Sequence, residues 1–244
     1  MAVKFTLQKL RQQPLRMSKR IREHGIGNFS RWGVYQLRFR ALERRLGIDT
    51  MEHAYGIDVW DRDGGQWYDP IDYQCLWDIL DHMDPRPDQD VFLDYGAGLG
   101  RPIIAAAMRP FQRVIGVERD PLLLDYCQQH VASAQQRGKQ CCPIEIVACD
   151  AADYVVPGEV THILMHNTFI EQQLMDKVLA RIEHSLAATP RAIALYFVPL
   201  HKHQHLLENQ TFLEMSDELP TGFWNHVRIM VYQSVRSPAT PVAL

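Results

Sequence analysis

Apolar and polar positions alternate along the chain in two recurring ways that predict strands and helices. Runs of consecutive apolar residues are typical of buried strands, whereas apolar residues spaced three or four apart predict helices. The runs predict strands at 91–94, 113–118, 144–150, 162–167 and 191–198, with further candidates at 211–215 and 226–234. The helical spacing predicts helices at 3–23, 31–46, 70–83, 103–108, 121–137 and 170–186, and residues 55–68 have the pattern of a hairpin. Asp69 and Asp120, each followed by proline, are expected to cap the helices that they precede.

The order of these elements predicts the fold class. Strands and helices alternate from residue 91 to 198, which favours parallel strands joined by crossover helices. The last two strand candidates have no long helix between them. We therefore expect an α/β fold, a Rossmann-like doubly wound sheet that is mostly parallel with a closing antiparallel hairpin and an N-terminal helical extension. The expected domains are a basic helical extension at 1–49, an α/β domain at 50–235 and a loose tail at 236–244.

Charge divides the chain unevenly. The net charge of the 244 residues is −3, yet residues 1–49 hold 12 Lys/Arg against 3 Asp/Glu, and the remainder holds 14 against 26. Such a basic arm is suited to an acidic surface, which can belong to a partner protein, a lipid, RNA or the acidic face of its own domain. An Arg-rich start is also typical of a transit peptide, but the helical spacing of Tyr35, Phe39, Leu42 and Leu46 indicates a packing face.

Several classes of protein are disfavoured by composition. The sequence has no apolar run near the roughly 18 residues that span a bilayer, and the first residues lack the apolar core of a signal peptide. The five cysteines have no metal-ligand spacing, so reduced thiols and a cytoplasmic protein are expected. The triplet His201-x-His203-x-His205 does not share a helix face and has no suitably spaced carboxylate, so no metal site is predicted.

A glycine-rich turn follows the first predicted strand. Residues 91–101 read V-F-L-D-Y-G-A-G-L-G-R, in which an apolar run ends on Asp94 before the glycines Gly96, Gly98 and Gly100. A loop without Cβ atoms lets a ligand lie against the backbone. The dinucleotide fingerprint G-x-G-x-x-G would require glycine where Arg101 stands. The pattern D-x-G-x-G-x-G instead resembles the first motif of the class I S-adenosylmethionine (SAM) methyltransferases.

Carboxylates end three successive predicted strands, and each suits one part of SAM. Asp94 is expected to order the glycine loop and to attract the cationic amino-acid end of SAM. Gly96, Gly98 and Gly100 are expected to let the backbone approach the methionine portion. Glu118, about 20 residues further on, is expected to accept from the ribose hydroxyls. Asp150 is expected to accept from the adenine amino group, with the backbone amide of Ala151 beside it. A nicotinamide-binding domain would also use Glu118, so the glycine spacing is what favours SAM as the cofactor.

More motifs resemble a narrower group, the small bacterial methyltransferase-like proteins related to the non-SET class of histone-lysine methyltransferases. The resemblance runs from about residue 44 to 235 and leaves out the basic arm. Its motifs are Gly47-Ile48-Asp49-Thr50 after Arg44-Arg45, Tyr68-x-Pro70, the glycine loop, Val114-Ile115-Gly116-Val117-Glu118, Asn167-Thr168-Phe169, and Tyr196-Phe197-Val198-Pro199-Leu200-His201.

This resemblance implies which residues bind the methyl acceptor. Relatives carry Asn-Pro-Phe where this chain has Asn167-Thr168-Phe169, and in amino-methylating enzymes such a loop aims a carbonyl at the target nitrogen beside an aromatic ring. Asn167, Phe169 and Tyr196 are therefore the expected catalytic residues. Thr168 removes the fixed φ of proline and is expected to loosen the loop. Tyr68 is expected to belong to a lid over the cofactor, and His166 and His201 are candidate proton acceptors for a hydroxyl substrate.

The predicted function is a SAM-dependent methyltransferase that acts on a nitrogen, or less favourably an oxygen, of an unidentified small-molecule or protein acceptor. Two alternatives remain open. One is an RNA methyltransferase that uses the basic arm, although the arm has few interleaved aromatic residues and the predicted catalytic domain is acidic. The other is a SAM-binding regulatory or interaction protein without catalysis, for which the change to Thr168 is the supporting feature.

Overall fold

The computed structural model describes residues 33–51, 68–138, 140–199, 205–207, 210–220 and 227–235. The predicted helix at 3–23, the tail at 236–244, His201, His203, and the hairpin at 55–68 apart from Tyr68 lie outside the described residues. The chain divides into two compact units, Met1–Arg44 and Arg45–Leu244. Every residue of the site considered below belongs to the second unit.

The described strands form one mixed sheet. They are β1 (Val91–Tyr95), β2 (Arg113–Glu118), β3 (Ile144–Ala148), β4 (Val160–His166), β5 (Ala194–Val198), β6 (Leu213–Leu219) and β7 (Ile229–Ser234). Their order in the sheet is β3-β2-β1-β4-β5-β7-β6. Strands β1 to β5 pair in parallel, whereas β7 runs antiparallel to both β5 and β6. The predicted fold class, a mostly parallel sheet with a closing antiparallel hairpin, is confirmed.

Five helices are described, and their starts follow local capping chemistry. They are α1 over residues 33–46, α2 (Tyr73–Met83), α3 (Arg101–Ala106), α4 (Pro121–Gln136) and α5 (Gln172–Ala188). Asp120 caps α4 as predicted, because its Oδ1 accepts from the amides of Leu122 and Leu123. The cap predicted at Asp69 is wrong: α2 begins later, with Asp72 accepting from the amide of Gln74. Among the described helices, none is long and apolar enough to cross a bilayer.

The sheet topology places a crevice at the end of β1. This strand is buried along its whole length between β2 and β4. The connection that follows β1 leads to β2 on one side of it, whereas the connection that follows β3 leads to β4 on its other side. These connections therefore diverge at the carboxyl end of β1. In open α/β sheets, ligands bind in the crevice at such a switch point. The amides of Gly96 and Ala97 donate to the carbonyl of Val117, which fixes the start of the glycine loop against β2.

Candidate active site

A pocket of about 410 Å³ opens at this switch point. The carboxyl ends of β1, β2 and β4, the loop after β3 and the segment before α2 all contribute to its wall. Ten residues that the sequence predicted for the site line it, namely Tyr68, Asp94, Gly96, Gly98, Glu118, Asp150, Ala151, His166, Asn167 and Phe169. The fold therefore brings together side chains that lie as much as about a hundred positions apart in the chain.

The glycine loop forms the floor of the pocket and needs glycine at its centre. Gly98 has a φ of +54°, in the left-handed region that favours glycine. A Cβ at this position would also lie 2.6 Å from Cε2 of Tyr68, so the tyrosine ring lies directly against the loop. The Tyr68 hydroxyl donates to the carbonyl of Thr50 at 2.9 Å. This position over the loop is compatible with the lid role predicted for Tyr68.

The Glu118 carboxylate binds both the glycine loop and the residues that connect β2 to α4. Its Oε2 accepts from the amide of Gly98 at 2.8 Å, and its Oε1 accepts from the amides of Arg119 and Asp120 at 2.8 and 2.9 Å. Burial raises the pKa of this carboxyl, and the three hydrogen bonds oppose that rise. A carboxylate has about four acceptor positions. Three are filled by the backbone, which leaves one for a ligand hydroxyl.

Asp94 lies below the loop and is 1% exposed. Its Oδ2 is buried without a hydrogen-bond partner among the described residues. Burial, followed by repulsion from Glu118, holds the pKa of the Asp94 carboxyl well above its usual range. An acidic group in this state is stabilised by a cationic or hydrogen-donating ligand, because either one compensates for the lost hydration.

Asp150 lies in the loop after β3, on the far side of Glu118. Its Oδ1 accepts from the amide of Ala152 at 2.9 Å, and its Oδ2 lies 3.3 Å from a guanidinium nitrogen of Arg119. The first contact orders the loop that carries Ala151. Cys149 and Ala151 line the pocket next to it, so this part of the wall is less polar than the part near Asp94.

Asn167 follows β4 in an unusual backbone conformation, with a φ of +49°. Its Nδ2 donates to Oδ2 of Asp69 at 2.7 Å and lies 3.5 Å from Nε2 of His166. Its Oδ1 is buried and has no hydrogen-bond partner within the part of the chain that the structure describes. A carbonyl oxygen in this state can accept a hydrogen bond from a ligand N–H.

Thr168 supports the loop in a way that the sequence did not suggest. Its hydroxyl lies 2.6 Å from the carbonyl oxygen of Tyr95 and 3.1 Å from that of His166. The hydroxyl thus connects the loop to the end of β1, where proline could only have fixed φ. Phe169 is buried and packs edge-on against Tyr95, with ring centroids 6.1 Å apart. The loosening expected from the loss of proline is offset by these contacts.

Two of the predicted site residues, Gly100 and Tyr196, do not line the pocket. Gly100 precedes α3 with a φ of +90°, and a Cβ there would meet Sγ of Cys127 at 3.1 Å, so it serves the packing of α3 against α4. Tyr196 opposes Leu164 two residues before the end of β5. Its hydroxyl lies 2.9 Å from Nδ1 of His82 on α2. Its side chain therefore packs beside the sheet instead of reaching its carboxyl edge.

Arg101 and Asp69 also line the pocket and were missed by the sequence reasoning. Arg101 is 4% exposed, and its guanidinium donates to Oγ1 of Thr50 at 2.7 Å and to the carbonyl of Ile71 at 2.6 Å. It also lies over the ring of Tyr73, 4.3 Å from its centroid. These contacts join the start of α3 to two segments far away in the sequence. In the sequence, Arg101 stands where the dinucleotide fingerprint has glycine, and no local pattern signals its distant partners.

His166 gives the site a testable pH dependence. Burial lowers the pKa of its imidazole from 6.5 to about 4, against the attraction of Asp69. Below pH 6.5 the unfolded chain takes up a proton that folded His166 does not, so this group removes stability as the pH falls from 6.5 toward 4. Between pH 7 and pH 5 we expect it to lower the free energy of unfolding by about 2 kcal/mol.

Urea unfolding at pH 7 and pH 5 measures this effect. The loss of stability should be smaller in His166→Gln than in the original protein by about 2 kcal/mol. His184, which is exposed on α5, is the control, and His184→Gln should change with pH as the original protein does. An equal pH dependence in His166→Gln and the original protein would show that the prediction is wrong.

The comparisons with known proteins identify the fold. The structure is similar to that of the putative methyltransferase yhhF from Escherichia coli, with a TM-score of 0.53 and 15% identity over 71% of this chain and 97% of the other. It is also similar to TrmN from Thermus thermophilus, with a TM-score of 0.52 and 20% identity over 66% of this chain and 48% of TrmN. For the putative methylase HI0767 from Haemophilus influenzae, the TM-score is 0.50 and the identity 15%, over 67% and 98% of the two chains.

These likenesses show that the chain has the fold of the class I SAM-dependent methyltransferases. No protein-family model matches the sequence, and no curated protein is similar to it in sequence. The narrower relation to the non-SET histone-lysine methyltransferases therefore stays a prediction.

Proposed function

We propose that this protein is a SAM-dependent methyltransferase that methylates a nitrogen of a small-molecule or protein acceptor. The observation that carries the proposal is the convergence of three features in one pocket. The glycine loop, the buried Asp94 and the carboxylate of Glu118 lie at the switch point of a sheet that has the methyltransferase fold. An oxygen of the acceptor is the less favoured target.

The residues present fit SAM part by part. Asp94, with its unpartnered Oδ2, would hold the cationic amino group, while the glycine loop would lie along the methionine portion. Glu118 retains about one of its four acceptor positions for a ribose hydroxyl. The loop of Cys149, Asp150 and Ala151 would receive the adenine, although the Asp150 carboxylate already bonds the amide of Ala152.

The division of chemistry follows from this fit. When bound, SAM supplies a methyl group on a sulfonium that is already electrophilic. The protein's contribution is then to hold the acceptor in line with that methyl group and to exclude water, a proximity effect worth several kcal/mol. Asn167 is the proposed acceptor for the remaining N–H of the target nitrogen. Phe169 packs behind the loop and fixes its position.

The charge of the pocket disfavours the RNA alternative. Six acidic residues line it, namely Asp69, Asp94, Glu118, Asp120, Asp150 and Glu171, against the two arginines Arg101 and Arg119. A surface of this charge attracts cations and repels phosphates. Most of the basic arm, which the RNA alternative requires, lies outside the described residues.

Calorimetric titration with SAM and with S-adenosylhomocysteine tests the proposal. We expect SAM to bind, because its cationic amino group compensates for the burial of the unpartnered Asp94 carboxyl oxygen. Asp94→Asn should weaken SAM binding at least about 10-fold.

Asp125→Asn is the matched control, since it removes the same charge from an exposed site on α4 that does not line the pocket. It should bind SAM as the original protein does. A folded protein that binds neither SAM nor S-adenosylhomocysteine would overturn the proposed function. SAM binding that a folded Asp94→Asn leaves unchanged would overturn the role assigned to Asp94.

A further inference from the structure

The contact between Asp69 and Asn167 joins two segments at the pocket wall. Oδ2 of Asp69 accepts from Nδ2 of Asn167 at 2.7 Å, across 98 positions of sequence. Both residues line the pocket, Asp69 from the segment before α2 and Asn167 from the end of β4. Because Asp69 is not the cap of α2, its carboxylate is available for this long-range contact.

The partners of the Asn167 amide decide which way it faces. An ionised carboxylate can only accept, so the NH₂ group must point to Asp69. The second N–H of the same group faces Nε2 of His166 at 3.5 Å. Both donors are therefore directed at the protein, and the carbonyl Oδ1 is the part of the amide that is buried and unpartnered within the described residues.

We propose, on the basis of the function proposed above, that Asp69 is a positioning residue that directs Oδ1 of Asn167 to the acceptor and so makes the site specific for a nitrogen that carries an N–H. If the Asn167 amide were flipped, its NH₂ group would face the acceptor. Its N–H groups would then bind the nitrogen lone pair that must attack the methyl group. Asp69 prevents that reversal because its carboxylate would then face the amide oxygen.

The same surroundings favour an amine over a hydroxyl. A hydroxyl must lose its proton as it is methylated and needs a base, but burial holds the pKa of His166 at about 4, which makes it a weak one. An amine that arrives as an ammonium ion first gives a proton to water, and its neutral form then needs no base. Its lone pair forms the N–C bond while the C–S bond breaks and its electron pair stays on sulfur. The positive charge moves to nitrogen and is lost when the proton leaves to water.

Sinefungin, the SAM analogue with an amine-bearing carbon in place of the methyl-bearing sulfonium, probes this geometry without a known substrate. Its amine lies where the acceptor and the methyl group meet. We expect the protein to bind sinefungin at least about 10-fold more tightly than S-adenosylhomocysteine, the ratio that one hydrogen bond to a charged donor supplies. In Asp69→Asn, the preference should fall below about 3-fold, with the affinity for S-adenosylhomocysteine changed less than about 2-fold.

Two further variants make the result specific. Glu171→Gln removes a carboxylate from the same pocket without touching Asn167 and should keep the preference, which separates positioning from simple charge. Asn167→Gly suits the positive φ and removes the amide, so it should lose the preference even if Asp69→Asn does not fold.

The outcomes separate the two proposals. Failure of the folded original protein to bind S-adenosylhomocysteine would overturn the proposed function itself. Binding of S-adenosylhomocysteine without a preference for sinefungin, or a preference that survives in a folded Asp69→Asn, would overturn the role of Asp69 and leave the proposed function standing.

Discussion

Replacement of Glu118 by alanine is expected to weaken SAM binding at least about 100-fold and to lower the free energy of unfolding by about 3 kcal/mol. The carboxylate accepts from three backbone amides, those of Gly98, Arg119 and Asp120. Its removal leaves these donors without their partner in a largely buried site, and it releases the glycine loop that the ligand must lie against. The effect is thus larger than the loss of a ribose contact alone, which is worth about 10-fold.

Calorimetry with SAM and urea unfolding measure the two effects separately. Glu118→Gln keeps the shape and one acceptor oxygen, so it should fall between alanine and the original protein in both measurements. Glu145→Ala is the control, because it removes an exposed carboxylate from β3 that pairs with Arg113 at the surface. Glu145→Ala should lower the free energy of unfolding by less than about 1 kcal/mol. Unchanged SAM binding in a folded Glu118→Ala would contradict the assignment of this residue.

Replacement of Arg101 by alanine is expected to lower the free energy of unfolding by about 3–4 kcal/mol. The guanidinium is buried and donates to the side chain and carbonyl of Thr50 and to the carbonyl of Ile71. Thr50 is itself 0% exposed, so water cannot replace the lost donors without a rearrangement. The segment around Thr50 and the segment before α2 would both lose their link to the start of α3.

Arg109→Ala is the matched control for the aromatic contact. Arg109 also lies over a ring, 5.0 Å from the centroid of Trp77, but its ion pair with Asp81 is at the surface. Arg109→Ala should lower the free energy of unfolding by less than about 1 kcal/mol. Urea unfolding of both variants gives the comparison, and similar losses of stability in the two would contradict the structural role of Arg101.

Much of the cofactor side of the pocket could be predicted because it is local in sequence. The glycine loop, Asp94 and Glu118 fall within 25 positions of each other in one strand-loop-helix-strand unit. In such a unit, the ends of neighbouring parallel strands must meet. The hydrogen bond between Glu118 and Gly98, 20 positions apart, is the direct result.

Predictions that depended on side-chain direction or distant partners were less successful. Tyr196 was assigned to the site from its place near a strand end, but its hydroxyl meets His82, 114 positions away. Asp69 was interpreted as a helix cap because aspartate before proline is typical of one. Its carboxylate instead meets Asn167, and Asp72 caps the helix.

The sequence by itself determined the order of strands and helices, the antiparallel closing hairpin and the acidic groups at the ends of β1 and β2. Hydrophobic periodicity and glycine spacing are local properties, so they can be recognised in the sequence without knowledge of the packing. Only the tertiary structure decided the environment of Arg101, the orientation of the Asn167 amide and the burial of Asp94. Each of these depends on which side chains from distant segments share a low-dielectric space, and contacts of that kind leave no periodic signal along the chain.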